Sequence, residues 1–208
     1  MRLIGITGGI GAGKTEVLSF IRQHYLCKIC LADEVAHIIQ SPGQDCYEKM
    51  VALLGKGVLD ADGRINKNRM AAQIFLDKSL LKKVNDIVHP AVRNYLEQEV
   101  KKAAEEGKTE LFFIEAALLI ENGYKDFVDE MWYVYASPEV RRQRLKANRG
   151  YSDEKITGIM GNQLTEEQYR KNSDFVIDNS DSLSAACDQI KNRLEAYTWQ
   201  EYAVKKRR

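Results

Sequence analysis

The chain has no run of about 18 apolar residues, so no segment of it is expected to cross a membrane. Nor does it open like a secreted protein. A single cation, Arg2, precedes the apolar stretch Leu3 to Ile6, which is far too short for the core of a signal peptide. A cytoplasmic location is the expectation. An excess of charge of either sign is also missing, since 31 Lys and Arg stand against 30 Asp and Glu. That balance weighs against nucleic acid or a membrane as the main partner, although a local basic patch can still bind phosphates. There is no internal repeat and no low-complexity segment. Cysteine is sparse, and the four residues Cys27, Cys30, Cys46 and Cys187 fit reduced intracellular thiols. At 208 residues the chain can build one sizeable α/β core with inserted subdomains, rather than two independent domains.

Cys27-Lys28-Ile29-Cys30 has CxxC spacing. A zinc site needs a second Cys or His pair, and a redox motif needs its first Cys at a helix start. This pair lies within Tyr25 to Leu31, which reads as a strand whose residues three apart face opposite sides. Strand packing is the expected role.

What is present is Gly8-Gly9-Ile10-Gly11-Ala12-Gly13-Lys14-Thr15, which fits G-x-x-x-x-G-K-[ST] at every specified position. The pattern carries meaning only with a strand before it and a helix after it. Arg2 to Thr7 is short, apolar and β-branched, and Glu16 to Arg22 places Val17, Phe20 and Ile21 on one helical face. Gly8, Gly11 and Gly13 permit a tight turn with inward N–H groups, so that loop and helix N-terminus together hold a phosphate. Lys14 would neutralise β- and γ-phosphate oxygens, and the Thr15 hydroxyl would ligate Mg²⁺.

Further along, a second strand, Leu26 to Leu31, delivers Ala32-Asp33. Asp33 could take a proton from an attacking hydroxyl or cap the helix Glu34 to Ile39, and the two roles are compatible. Ser41-Pro42-Gly43 breaks that helix, and Gln44 to Leu54 reads as another. Asp60-x-x-Gly63 followed by Asn66-Lys67 is similar to two GTPase motifs, but their spacing is too short to serve separate strand ends. Asn66 to Phe75 and Ser79 to Val88 have helical periodicity, and His89-Pro90 is expected to start a separate helix, Ala91 to Glu106, ended by Gly107. Glu110 to Glu115 reads as a buried strand ending in a carboxylate, which either holds a Mg²⁺ water or caps a helix. Met131 to Tyr135 is a fourth strand, and Ser137-Pro138 opens a helix. From Pro138 to Arg149 five cations (Arg141, Arg142, Arg144, Lys146 and Arg149) face one acid, Glu139. Such a run suits either a lid closing on nucleotide phosphates or a solvated basic helix. Phe175-Val176-Ile177 is a fifth strand, Asp178-Asn179 a turn, and Leu183 to Tyr197 the closing helix. Lys205 to Arg208 reads as a solvated tail. Strands alternating with helices after a phosphate loop specify a parallel sheet with right-handed crossovers.

Several spaced motifs coincide with one family. The chain resembles the dephospho-coenzyme A kinases, P-loop enzymes that phosphorylate the ribose 3′-hydroxyl of dephospho-coenzyme A. Ile4 to Thr15 is similar to the family's opening signature, and Ala32-Asp33 to the end of its Asp-Ala-Asp motif. His89-Pro90-Ala91-Val92-Arg93 matches its His-Pro-x-Val-Arg, and Leu118-Leu119-Ile120-Glu121 its Pro-Leu-Leu-Phe-Glu. Gln163 and Asp174 to Asn179 fall in its C-terminal pattern. The likeness runs from about residue 2 to 195. The departures are Leu31 for the first Asp of Asp-Ala-Asp, Glu115 for an Asp, Ala117 for a Pro and Ile159 for a lid arginine. The segment from Arg144 to Gly150 is also one residue longer than usual.

The resemblance implies a three-layer α/β/α P-loop fold with a five-stranded parallel sheet, a helical substrate-binding insertion and a lid. As one kinase domain, its core would be 1–59, 107–137 and 171–208, its acceptor-binding insertion 60–106 and its lid 138–170. ATP would be held by Gly9, Gly11, Ala12, Gly13, Lys14, Thr15 and Glu16. Mg²⁺ would sit on Thr15, with Glu115 as a second candidate. Asp33 would act on the acceptor hydroxyl. His89, Arg93 and Leu118 would contact dephospho-coenzyme A, His89 having a capping or packing role as its alternative. Lys14 and the lid arginines would stabilise the transferred phosphoryl, with the lid arginine open among Arg141, Arg144 and Arg149. The implied partners are ATP and dephospho-coenzyme A, without nucleic acid or membrane, in a monomer or weak homo-oligomer. Two rivals stay open: another small-molecule kinase of the nucleoside-monophosphate type, and a non-catalytic nucleotide-binding switch.

Overall fold

The computed structural model describes residues 1–205, with side chains described through Tyr197. Of the expected C-terminal tail, only the backbone of Lys205 falls within the described residues. In chain order the elements are β1 (Arg2–Thr7), α1 (Lys14–His24), β2 (Cys27–Leu31), α2 (Ala32–Ile39), α3 (Asp45–Leu54), α4 (Lys67–Leu76) and α5 (Ser79–Glu106). They continue with β3 (Leu111–Glu115), β4 (Glu130–Tyr135), α6 (Pro138–Arg149), α7 (Asp153–Gly161), α8 (Glu166–Lys171), β5 (Phe175–Asp178) and α9 (Leu183–Lys205).

Strands β1, β3 and β4 are largely apolar runs because the middle of a parallel sheet is covered on both faces. Ile4, Ile6, Phe112, Phe113, Ile114, Met131, Trp132 and Val134 are fully buried. The sheet order is β2-β3-β1-β4-β5, which makes β1 the central strand. Ile6 on β1 is in register with Glu115 on β3, and Thr7 with Tyr133 on β4. The chain thus leaves β1 for the phosphate loop beside the carboxylate that ends β3. Trp132 sits edge-on to Phe113 and Phe175, at 5.8 and 5.1 Å between ring centroids.

Two compact units emerge, Met1–Ile29 with the chain from Glu110 onward, and Cys30–Thr109. In the first, α9 packs on α1 and β5. A buried carboxylate ties α9 to the sheet. Glu130 Oε1 accepts from Arg2 Nη1 at 3.0 Å, while Oε2 accepts from Trp132 Nε1, Arg193 Nη2 and Tyr197 Oη at 3.0, 2.9 and 2.5 Å. The Arg2 guanidinium also lies over the Tyr197 ring, 3.8 Å from its centroid.

In the second unit α2, α3 and α4 pack on α5. The sequence-based boundary at residue 60 falls inside this unit, because α2 and α3 share the α5 surface with the inserted helices. Two local expectations change. Asp33 is not the cap of α2, since the helix starts at Ala32 after Leu31 and takes Asp33 into its first turn. His89-Pro90 does not start a helix: α5 runs unbroken for 28 residues with Pro90 inside it. Proline there removes one N–H, but packing by three neighbouring helices outweighs that single loss. Asn66 accepts from Arg69 N at 3.0 Å as the cap of α4, and its Nδ2 donates to Asp60 at 2.8 Å, so the GTPase-like residues form a surface turn.

Candidate active site

The loop between β1 and α1 turns on glycine. Gly13 caps α1 at φ 94°, in the left-handed region that a side chain would strain, and a Cβ there would also run into Asn179 Nδ2 at 2.2 Å. Gly9 has a steric reason of its own, because a Cβ would come within 2.3 Å of the Arg141 guanidinium. No side chain caps α1, so the first N–H groups of the helix are kept for an anion.

Lys14 folds back over the loop. Its Nζ donates to the Gly8 carbonyl at 2.8 Å and lies 3.6 Å from Glu115 Oε1, with both side chains largely buried. No helix follows Glu115 directly, so the capping alternative for that residue is replaced by an ion pair with the loop lysine. Thr15 and Glu16 are exposed in the first turn of α1.

Three arginines were candidates on α6, and the structure separates them. Arg141 Nε donates to the Ile10 carbonyl at 2.8 Å and Nη2 to Gln163 Oε1 at 2.5 Å. The same Oε1 accepts from Ile10 N–H at 3.2 Å. Burial pulls the Arg141 guanidinium below its ordinary pKa, against the opposing pull of Tyr133, Tyr169 and Tyr135. Burial in turn pushes the Tyr133 and Tyr169 phenols up to about 12, and their rings stack at 4.6 Å. Arg144 Nη2 donates to the Asn179 carbonyl at 2.8 Å and Nη1 to the Ala12 carbonyl at 3.4 Å. Asn179 Nδ2 donates to that Ala12 oxygen at 2.9 Å, while its own Oδ1 is buried without a partner. Arg149, at the exposed end of α6, bonds to none of the described residues.

Three of the acceptor-side candidates, Asp33, His89 and Arg93, fall in the other unit. Asp33 is exposed and its carboxylate engages no described residue. Its carbonyl accepts from His37 Nδ1 at 2.6 Å, and His37 Nε2 faces Lys67 Nζ. His89 is half-buried in the interior of α5, which removes helix capping as its role. Arg93 Nε donates to Glu97 at 2.6 Å, one turn along the same helix. Leu118 belongs to the first unit, exposed on the turn after β3 beside the buried Leu119. Cys27 and Cys30 in β2 are not joined in a disulfide, and burial raises the Cys27 pKa. Among the described residues no three His, Cys, Asp or Glu side chains cluster as a metal site.

Sequence reasoning missed the part played by Asn179, which read as a turn, and of Gln163, which stood only as one residue of a family pattern. Neither had a local signal, because each meets the loop from more than 150 positions away.

Comparison with known proteins bears on this arrangement. A family model described as dephospho-CoA kinase matches residues 2–185. The chain is 33% identical to a dephospho-CoA kinase of Corynebacterium diphtheriae over 204 residues, covering 98% of both chains. It is 36% identical to that of Aquifex aeolicus over 199 residues, covering 95% of this chain and 98% of the relative. A solved dephospho-CoA kinase from Campylobacter jejuni superposes with a TM-score of 0.72 at 21% identity, over 97% of this chain and all of the other, a likeness of fold.

Proposed function

The chain belongs to the dephospho-CoA kinase family, and from that premise we propose how its residues divide the reaction between them. The family transfers a phosphoryl group from ATP to dephospho-coenzyme A in the last step of coenzyme A synthesis. The observation that carries the division is the loop Gly8 to Thr15, with Lys14 folded over it and Glu115 beside it.

ATP is held by Gly9, Gly11, Ala12, Gly13, Lys14, Thr15 and Glu16, with the loop N–H groups and the start of α1 directed at the phosphates. Lys14 exchanges the Gly8 carbonyl for phosphate oxygens when the nucleotide arrives. An exposed hydroxyl on Thr15 and a carboxylate on Glu115 are hard oxygen donors of the kind Mg²⁺ takes beside its waters. Bound there, Mg²⁺ would neutralise charge on the phosphate oxygens.

Asp33 takes the proton of the acceptor 3′-hydroxyl. The acceptor oxygen forms a bond to the γ-phosphorus, the bond from that phosphorus to the leaving ADP oxygen breaks, and the proton stays on the Asp33 carboxylate. Its exposure and its lack of a described partner support this role. His89 and Arg93 on α5, with Leu118, take the acceptor side, where a guanidinium suits a phosphate through its planar fork. The segment 138–170 serves as the lid, the helices of 60–106 bind the acceptor, and Arg149 is its arginine with no described partner. Among the described residues no helix is long and apolar enough to cross a membrane. Four cysteines outside any disulfide support a cytoplasmic working place.

The test is ADP release from Mg-ATP with and without dephospho-coenzyme A, the product identified by mass. Strong stimulation with coenzyme A formed is expected. ATP binding without stimulated release would favour the nucleotide-switch alternative.

A further inference from the structure

Both ends of the α6–α7 segment converge on one peptide of the phosphate loop. Arg141 belongs to the first turn of α6, and Gln163 follows α7 by two residues. Ile10 offers its carbonyl to Arg141 Nε at 2.8 Å and its N–H to Gln163 Oε1 at 3.2 Å, and the ring closes through Arg141 Nη2 on that same Oε1 at 2.5 Å. All of this lies within one compact unit.

We propose that Arg141 and Gln163 are positioning residues of the phosphate loop, setting the Ile10 peptide and through it the geometry in which ATP is held, rather than groups that touch the transferred phosphoryl.

Three observations carry this. The fork of Arg141 is committed on two of its nitrogens to a backbone oxygen and an amide oxygen, and five donors in a fixed plane make that double contact specific to arginine. Gly9 is the residue whose Cβ would occupy the place of this guanidinium, so the loop sequence leaves room for it. Gln163 acts through an acceptor alone: both of its bonds end on Oε1, while Nε2 donates to none of the described residues. The proposal rests on the loop being the ATP site, and the experiment separates the two ideas because it reads KM for ATP against kcat in an enzyme already shown to turn over.

The dependence on an acceptor gives a discriminating pair. Gln163→Met keeps the shape and removes the oxygen, whereas Gln163→Glu keeps an acceptor in the same place. In steady-state kinetics at saturating dephospho-coenzyme A, Gln163→Met should raise KM for ATP about tenfold, as expected for a lost bond to a charged group. Gln163→Glu should recover most of that loss. Arg141→Lys keeps the charge but cannot span both oxygens, so it should raise KM for ATP by about tenfold with a smaller change in kcat.

Three results would overturn the proposal. If Gln163→Glu is as defective as Gln163→Met while both melt near the wild-type temperature, the amide N–H is the working group and Gln163 touches substrate. If Gln163→Met lowers only the melting temperature and leaves KM unchanged, the ring is structural. If Arg141→Lys keeps wild-type KM and kcat, the fork is not needed. Should Gln163→Met fail to fold, Gln163→Glu against Arg141→Lys decides alone, since only the first preserves the ring.

Discussion

Lys14 Nζ stands 3.6 Å from Glu115 Oε1, and the register of β1 on β3 puts it there: Ile6, just before the loop, is the partner of Glu115. A parallel pair of strands ending side by side thus joins the loop's cation to the next strand's carboxylate. ATP phosphates and Mg²⁺ entering this place would each take one member of the pair, the phosphates Lys14 and the cation Glu115.

Glu115→Gln keeps the size and removes the charge. The free Mg²⁺ needed for half-maximal rate should rise about tenfold, the scale of losing one charged partner in a polar, partly exposed site. Initial rates against free Mg²⁺ at fixed ATP read this directly. An unchanged Mg²⁺ dependence would mean that Glu115 has no part in holding the cation.

Asp33→Asn should lower kcat by roughly 10²- to 10⁴-fold, the range for losing a general base, with ATP binding retained. Because Asp33 lies inside the first turn of α2 and not at its cap, the substitution should cost little stability. Nucleotide binding by calorimetry and turnover of the same sample separate the two effects. Near-wild-type turnover would remove Asp33 from the chemistry.

Arg144 and Arg149 should respond differently to alanine. Arg144 bridges the Ala12 and Asn179 carbonyls, so Arg144→Ala should loosen the loop, lowering both melting temperature and ATP affinity. Arg149→Ala should leave the melting temperature alone and lower kcat by about 10³-fold, as when an arginine is removed from a phosphoryl-transfer site. Thermal melts beside steady-state rates would decide. A slowed Arg144→Ala with a silent Arg149→Ala would exchange the assignments.

What could be read from the sequence was what is local or periodic. The phosphate loop announces itself through Gly13, Lys14 and Thr15 because their chemistry is consecutive. β3 and β4 do so because a strand buried on both faces is an apolar run. The continuity of α5 through Pro90 was hidden, since proline is a local signal and the packing that overrides it comes from α2, α3 and α4. The contacts of Arg141, Arg144, Gln163 and Asn179 were hidden for the same reason, because a charged residue on α6 reads alike whether it faces solvent or a loop carbonyl more than 130 positions away.

Glu130 gives the last prediction, and it concerns stability. Burial disfavours its carboxylate, but hydrogen bonds from Tyr197, Trp132 and Arg193 outweigh that, so its pKa sits below the usual carboxylate range. Burial, with the hydrogen bond to Glu130, pushes the Tyr197 phenol up to about 12. The Glu130 contribution is complete above the ordinary glutamate pKa of about 4.3 and is lost as pH falls through the lower folded value. The Tyr197 contribution is complete below the ordinary tyrosine pKa of about 10 and is lost as pH rises through its folded value. Glu130→Gln leaves the cations of Arg2 and Arg193 without their counter-charge, which should cost about 3 kcal/mol. In a protein of this size that is roughly 6 to 12 °C in melting temperature at neutral pH. The deficit should shrink as pH falls toward the range where the wild-type carboxyl itself takes up a proton. Melting temperature followed against pH for both proteins tests this, and a deficit that stays constant into strong acid would mean that the packing of α9, rather than the Glu130 charge, carries the stability.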